Sequence, residues 1–201
     1  LVWMLAVGLF ILKTRSDTLE DAGARTSNLA SILAEQVDSA VDSFDASLRT
    51  LARLLAASPE NSVADAIKNA EANAEFANER RVLGAAGLFG VADAQGRTVG
   101  GARGDLYAGI DISDRSYFKS LRDDPTNRLV ISEPLQNRAT GDWMIIFARP
   151  IVSREGALRG IVFIGARPDT LLRTSRAIGS VEGQSFGLFD LAGRILVRYP
   201  A

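Results

Sequence analysis

Apolar side chains recur in alternating steps of four and three residues in the first third of the chain. They are Val37, Val41, Phe44, Leu48, Leu51 and Leu55. This spacing places them along one side of an α-helix and is the heptad pattern of helices that pack on each other. Residues 16–58 include no proline and only one glycine, Gly23. We therefore expect one long helix over this range.

The predicted helix is longer than one small domain requires. About 40 residues at 1.5 Å each extend over about 60 Å. We expect the part from residue 40 to residue 55 to pack on the chain's own sheet. For the preceding part we expect a parallel helix from a second subunit, which makes residues 16–58 a dimerisation helix. The alternative is that the whole stripe packs within one chain.

The first twelve residues, Leu1 to Leu12, carry no charged side chain. A bilayer needs about 20 apolar residues, so this stretch is too short to span one. We interpret residues 1–15 as the end of a transmembrane helix. Two alternatives remain open, the core of a signal peptide and a buried soluble helix. Against a signal peptide, Lys13 and Arg15 stand where its small-residue cleavage site would be. Against the transmembrane interpretation, the same two residues would lie on the exported side of the membrane, where positive residues are less common.

A strand, turn and strand pattern occurs twice. Phe89-Gly90-Val91-Ala92-Asp93-Ala94-Gln95-Gly96-Arg97 and Phe186-Gly187-Leu188-Phe189-Asp190-Leu191-Ala192-Gly193-Arg194 align without a gap at a separation of 97 positions. Each copy predicts a β-hairpin. We expect residues 59–180 to be one complete module and residues 181–201 to be the first hairpin of a second, truncated module. The alternative is that Asp-X-X-Gly-Arg is simply a common turn.

Helices and strands are also predicted in the rest of the chain. Ser58 and Pro59 end the long helix, and a second helix is expected near residues 64–76. Ser113 or Asp114 can cap a short helix. Three strands are then predicted, at residues 129–136, 142–152 and 158–167.

The middle one of these three strands is apolar on both faces. One face presents Trp143, Ile145, Phe147, Arg149 and Ile151, and the other presents Met144, Ile146 and Ala148. Both faces must therefore be covered, one by the long helix and the other by the short-helix segment. The resulting fold class is α+β, with a long N-terminal helix packed on a five-stranded antiparallel sheet.

Arg149 is a charged residue in an otherwise apolar row. Burying it alone is costly, so it needs an anionic partner, either a ligand or a protein carboxylate. Glu133 on the adjoining predicted strand is the protein carboxylate we expect.

Composition excludes several classes of function. The chain has a net charge of −1 and an isoelectric point near 5.6, which leaves no basic surplus for nucleic acid. It has no cysteine and no histidine. These absences remove disulfides, thiolate nucleophiles, the usual general base and the commonest metal ligands. We predict no cofactor, no metal and no catalytic residue in this region.

Five short motifs occur in order after the long helix. They are Asp114-Arg115-Ser116-Tyr117-Phe118, Ile131-Ser132-Glu133-Pro134-Leu135, Thr140-Gly141-Asp142-Trp143, Ala148-Arg149-Pro150-Ile151 and Gly160-Ile161-Val162. Together they resemble the double Cache, PAS-like extracellular sensor domains of bacterial membrane receptors. The resemblance covers residues 16–201. It implies a PAS-like antiparallel sheet, a periplasmic location outside the bacterial inner membrane, and a small ligand in the membrane-distal module. The homodimer through the long helix is expected from the heptad pattern and the length of that helix.

The amino-acid-binding branch of that family holds the ligand carboxylate with an Arg-X-aromatic-aromatic motif, which this chain resembles at Arg115-Ser116-Tyr117-Phe118. Two aspartates of that branch bind the ligand ammonium, and their positions fall at Asn137 and Gly165 here. The resemblance therefore implies a carboxylate or other small anion in preference to an α-amino acid. The expected ligand site comprises Arg115, Tyr117, Phe118, Tyr107, Ser132, Glu133, Trp143 and Arg149.

Three functions are compatible with this resemblance. The first is the ligand-sensing domain of a receptor histidine kinase or diguanylate cyclase. The second is a ligand-free dimerisation and spacer module, in which Arg115 only bonds loop carbonyls. The third, a membrane-anchored hydrolase, is disfavoured because a nucleophilic serine needs a general base and the chain has no histidine. Of the lysines that could replace it, only Lys119, beside Tyr117 and Phe118, is placed near a possible cleft, and on a helix we expect it to face water.

Overall fold

The computed structural model describes residues 2–60, 62–70, 74–101, 108–126, 128–168, 185–189, 193 and 195–199. Helix α1 runs from Val2 to Ala57, so it begins earlier than the predicted range. The heptad residues Phe44, Leu48, Leu51 and Leu55 are buried against the sheet, which confirms the packing expected for this half of the helix. Within the described residues, no helix combines the length and apolarity needed to cross a membrane.

The end of α1 is held by the sheet as well as by its own sequence. Pro59 disfavours helical geometry at Ser58. The last carbonyls of a helix have no intrahelical donor. Arg159 supplies donors, since its Nη1 lies 3.4 Å from the carbonyl oxygen of Leu55 and 3.2 Å from that of Ala56, and its Nη2 donates to the carbonyl of Glu60. The chain therefore leaves the helix at a point fixed by a strand residue.

The predicted second helix is observed as two helices. Helix α2 spans Val63–Ala70 and α3 spans Ala74–Ala86, with residues 71–73 between them outside the described part of the chain. Ser62 caps α2, because its Oγ accepts a hydrogen bond from the backbone nitrogen of Asp65 at 3.1 Å. Val63, Ala66, Ile67, Phe76 and Leu83 of these helices are buried in the same core as α1.

One antiparallel sheet forms the centre of the molecule. Its six strands are β1 (Leu88–Asp93), β2 (Thr98–Gly101), β3 (Val130–Ile131), β4 (Leu135–Gln136), β5 (Trp143–Val152) and β6 (Leu158–Ala166). The order is β2-β1-β6-β5-β3, and β4 also pairs with β5. The predicted five-stranded path is therefore present, with the third predicted strand divided into β3 and β4.

The division between β3 and β4 has a local cause. The backbone nitrogen of Ile146 in β5 donates to the Oγ of Ser132 at 2.9 Å. A side chain therefore replaces a backbone carbonyl as the acceptor between β5 and the segment that follows β3. Pro134 follows and has no N–H to donate to a ladder. The prediction of a continuous strand over residues 129–136 was wrong for these reasons.

Two apolar cores cover the two faces of the sheet. On one face, Ile145, Phe147 and Ile151 of β5 pack with α1, and the rings of Phe44 and Phe147 meet edge to face at 5.3 Å. On the other face, Met144, Ile146 and Ala148 pack with helix α4, which spans Ser116–Asp123. The alternation predicted for this strand is confirmed. Trp143, at the end of the strand, is 56% exposed.

The cap predicted for α4 is not the one observed. Arg115 occupies the N-cap position and makes no side-chain cap bond. The carboxylate of Asp114 binds Arg138, and the backbone nitrogen of Ser113 donates to Asp111 Oδ1 at 2.9 Å. The prediction of a Ser113 or Asp114 cap was wrong because Asp114 has another partner and the turn before the helix is closed by Asp111.

The two copies of the hairpin pattern pair in the same register. In the first, Gly90 pairs with Gly101 and Ala92 with Thr98, with a shift between Val91 and Ala92. In the second, β7 (Phe186–Phe189) pairs with β8 (Ile195–Tyr199), and the shift falls at the equivalent place, between Leu188 and Phe189. The turn glycines match too, with φ of 82° at Gly96 and 78° at Gly193. Both predicted hairpins are confirmed, whereas the second module remains a prediction.

Candidate ligand-binding pocket

A small cavity lies on the α4 face of the sheet. Its volume is about 40 Å³, measured as the space open to the centre of a water-sized sphere. Apolar side chains form most of its described wall, among them Leu88, Ile110, Ile112, Leu135, Ile146 and Phe163. Gly90 also lines it, and a Cβ there would lie 2.5 Å from the Phe163 ring, so only glycine lets that ring lie across β1. The Phe-Gly step of the first hairpin thus shapes the pocket.

Arg115 is the main polar group of this pocket. It stands at the start of α4, is half-buried, and donates from Nη2 to the carbonyl oxygen of Gln136 at 2.9 Å. No carboxylate of the described residues lies within 4.0 Å of its guanidinium, in contrast to the neighbouring Arg138. Its other N–H groups are therefore available to an acceptor inside the pocket.

Arg138 also lines the pocket, although the sequence predicted only a turn at this position. Its guanidinium donates to the carbonyl of Asp111 and to Asp114 Oδ2, the latter at 2.5 Å. The hydrogen bond from Arg138 lowers the pKa of Asp114, and the same bond raises the pKa of Arg138. The positive charge of Arg138 is thus matched by Asp114, which distinguishes it from Arg115.

Tyr117 lines the pocket, and Phe118 does not. The Tyr117 side chain is buried, and its ring centre is 6.2 Å from that of Phe163. Burial raises the pKa of Tyr117 to about 12, so the pocket disfavours the ionised form of its hydroxyl. Phe118 is buried in the core beneath α4 and is absent from the described pocket wall.

The other predicted site residues lie elsewhere. Ser132 is buried between β3 and β5, Glu133 accepts a hydrogen bond from Ser116 Oγ at 2.8 Å, and Trp143 is exposed at the strand end. None of these three belongs to the described pocket wall. Tyr107 lies outside the described residues.

Arg149 points to the opposite side of the sheet, and its partner is Asp45 of α1. Its Nε lies 2.5 Å from Asp45 Oδ1 and its Nη2 lies 2.8 Å from Oδ2. The expected ion pair with Glu133 was therefore wrong, because the strand places Arg149 on the helix face. Burial raises the pKa of Asp45, but the hydrogen bonds from Arg149 and Arg49 outweigh this and lower it overall.

The positions aligned with the two missing aspartates are close to the pocket. Asn137 lines it, but its Oδ1 accepts hydrogen bonds from the backbone nitrogens of Ala139 at 2.7 Å and Thr140 at 3.3 Å. At Gly165, a Cβ would lie 2.9 Å from Met144 Sδ and 3.0 Å from Ile146 Cδ1. Apolar side chains therefore fill the space that a larger residue at Gly165 would need.

Comparison with solved structures identifies the fold. The extracellular domain of rpHK1S-Z16, a protein assigned as a histidine kinase, superposes with a TM-score of 0.67 at 21% identity, over 85% of this chain and 68% of that one. The ligand-binding domain of the amino acid chemoreceptor PctC of Pseudomonas aeruginosa PAO1, in complex with GABA, gives a TM-score of 0.60 at 21% identity, over 85% and 73%. That of the Campylobacter jejuni chemoreceptor Tlp3 with L-valine gives 0.61 at 14% identity, over 85% and 68%.

No family model and no curated protein sequence matches the chain at a significant level. The structural matches establish the fold, and the matched proteins are sensory and ligand-binding domains, not catalytic ones. The chain therefore has the α+β fold of Cache-type extracellular sensor domains.

Proposed function

We propose that this chain is the extracytoplasmic ligand-sensing domain of a bacterial membrane signal-transduction receptor, and that its pocket binds a small carboxylate. The observation that supports this most directly is the environment of Arg115. It offers guanidinium N–H groups to an apolar cavity and has no carboxylate partner among the described residues. A carboxylate ligand would supply the missing acceptor in the fork geometry that arginine favours.

An α-amino acid is a poorer fit to the same pocket. PctC and Tlp3 are matched in complexes with GABA and L-valine, which carry an ammonium as well as a carboxylate. Here the described wall has no carboxylate for an ammonium, since Asn137 bonds its own turn and the space at Gly165 is taken by Met144 and Ile146. A buried ammonium without a partner would cost several kcal/mol.

The size of the cavity limits the ligand further. A water molecule needs about 10–15 Å³ by this measure, so the cavity of about 40 Å³ has room for about three waters. A ligand of two to four carbon atoms is the size we propose, with its carboxylate at Arg115 and its apolar part against Ile146 and Phe163.

Signalling would use the connection between the sheet and α1. Strand β5 contacts α4 on the pocket face and α1 on the other. A ligand that binds one arrangement better shifts the population of helix arrangements by no more than its differential affinity, commonly about 1–3 kcal/mol. We propose that α1 carries this shift in a membrane-anchored homodimer, in which Leu29, Leu33 and Val37 face the second subunit. The adjacent Ile32 is already 44% exposed in the single chain.

A direct binding experiment tests the pocket. Thermal unfolding and titration calorimetry would be run with acetate, pyruvate and succinate, and with glycine, valine and GABA as ammonium-bearing counterparts. We expect stabilisation by at least one carboxylate, weaker or absent effects of its amino analogue, and loss of binding in Arg115→Gln. Lys119→Gln removes one exposed charge from the same helix and should bind normally.

The second candidate, a ligand-free spacer module, has its own supporting observations. Arg115 already bonds the Gln136 carbonyl, and the cavity is small. This function predicts no stabilisation by any of these compounds and a lower melting temperature for Arg115→Gln. The sensing proposal predicts an unliganded melting temperature close to that of the parent chain.

A further inference from the structure

A second concave surface lies on the opposite side of the sheet from the pocket. It is a groove of about 320 Å³, by the same measure, between the C-terminal part of α1, the segment before β3 and the end of β5. Four arginines line it, namely Arg49, Arg53, Arg128 and Arg149, and the other described lining residues are alanine, proline, threonine and valine. None of the described lining residues is acidic.

The arginines of this groove have too few carboxylates. Arg49 and Arg149 share the single carboxylate of Asp45, with Nη2 of each 2.8 Å from its Oδ2. Arg128 makes no hydrogen bond or ion pair with the described residues, and Arg53 has only a 3.5 Å contact with Thr50 Oγ1. One carboxylate therefore pairs with two of the four arginines, and the other two have no carboxylate partner among the described residues.

The carboxylates closest in sequence do not correct this imbalance. Asp124, next to the lining residue Pro125, accepts hydrogen bonds from the backbone nitrogen and the hydroxyl of Thr126. Asp123 pairs with Arg122 at 2.8 Å. Arg49 and Arg53 are also four residues apart on α1, so their charges lie side by side and repel. The fold holds these charges together although doing so is unfavourable.

We infer that this groove is a second binding site, for a small anion that carries two or more carboxylate or phosphate groups. Guanidinium groups bind both kinds of oxyanion through paired N–H donors, and a cleft lined by one sign of charge concentrates counter-ions. The walls of alanine, proline and valine give the ligand's uncharged part an apolar surface. The groove is open and larger than the pocket, which suits a multiply charged compound rather than a two-carbon acid.

Occupancy of the groove would also affect α1. An oxyanion bound by Arg49 and Arg149 competes with Asp45, which is the link between this helix and β5. The ligand would therefore act on the attachment of the long helix from the side opposite the pocket.

The test uses the whole chain at constant ionic strength. Pyrophosphate and citrate are the two probes, so that the phosphate and carboxylate classes are distinguished, and acetate is the monovalent control. We expect one probe to bind, and the double variant Arg53→Gln/Arg128→Gln to weaken binding at least about tenfold, since hydrogen bonds to charged groups are strong. Neither residue pairs with a carboxylate of the described chain, so the variant should fold.

Two control variants make the result specific. Arg25→Gln/Arg81→Gln removes the same net charge from exposed positions and should bind the probe as the parent chain does. Arg115→Gln alters the pocket alone and should also retain binding. The inference is overturned if neither probe binds, if both double variants weaken binding equally, or if only Arg115→Gln abolishes it. It is equally overturned if only an acidic peptide or vesicles containing phosphatidylglycerol bind the arginines.

Discussion

Arg149 on the central strand and Asp45 on the long helix form a two-point ion pair, with Nε to Oδ1 at 2.5 Å and Nη2 to Oδ2 at 2.8 Å. Both side chains are largely buried, with 11% and 17% of their surfaces exposed. The pair connects residues 104 positions apart in the sequence. It joins α1 to β5, and the other face of β5 packs in the core on the pocket side of the sheet. Any movement of α1 along the sheet must therefore stretch this pair.

Removing one partner of the pair should be strongly destabilising. Asp45→Asn leaves the Arg149 guanidinium without its carboxylate, and we expect a loss of about 3 kcal/mol in the free energy of unfolding by urea. Arg49→Gln is the matched control, because Arg49 contacts the same carboxylate from an exposed position and should cost less than about 1 kcal/mol. If Asp45→Asn lowers the free energy of unfolding as little as Arg49→Gln does, the buried pair contributes little to stability.

The same pair should make stability depend on pH. The pKa of Asp45 is lowered in the folded state, so its contribution is fully present above the unfolded-state pKa and is lost as pH falls through the folded-state pKa. The difference in stability between the parent chain and Asp45→Asn should therefore be constant near neutral pH and shrink in acid, below about pH 4. Urea titrations between pH 7 and pH 2 measure it. A constant difference over that range would contradict the lowered pKa.

The arginine that ends α1 should also contribute to stability. Arg159 donates to the carbonyls of Leu55, Ala56 and Ser58, and charged donors to helix ends are favourable. We expect Arg159→Ala to cost about 1–3 kcal/mol and to accelerate amide exchange in the last turns of α1. Arg154→Ala, in the exposed turn between β5 and β6, should leave both unchanged. Normal exchange at the end of α1 in Arg159→Ala would exclude the capping role.

The proposed dimer can be tested on the part of α1 that does not pack on the core. Leu33→Glu places a charge in the apolar stripe and should convert a dimer into a monomer with its sheet intact, as judged by sedimentation and circular dichroism. Ser31→Glu adds the same charge on the opposite side of the helix and should leave the dimer in place. Crosslinking of single cysteines placed along residues 26–35 in the membrane-anchored form is the independent check, and Thr26, seven residues before Leu33, lies on the same side of the helix as Leu33. Absence of crosslinks throughout this range would argue against a parallel dimer.

The sequence was sufficient for features that depend on residues close together in the chain. The heptad stripe of α1, the alternation of Ile145 and Phe147 with Met144 and Ile146, and both hairpins are present as predicted. Helical and strand periodicities are properties of neighbouring residues, so they can be recognised without the fold. The Arg-X-aromatic-aromatic motif likewise indicated that Arg115 and Tyr117 share a pocket.

Only the tertiary structure decided which charged groups meet. Arg149 pairs with Asp45 and not with Glu133, Arg138 reaches the pocket from a turn, and Arg159 caps the end of a helix at two carbonyls that are 103 and 104 positions away in the sequence. Long arginine side chains can reach partners on several elements, and the pattern of apolar residues carries no information about that choice. The strand order and the position of α1 on the sheet determine it, because an ion pair forms only between groups that packing has already brought together.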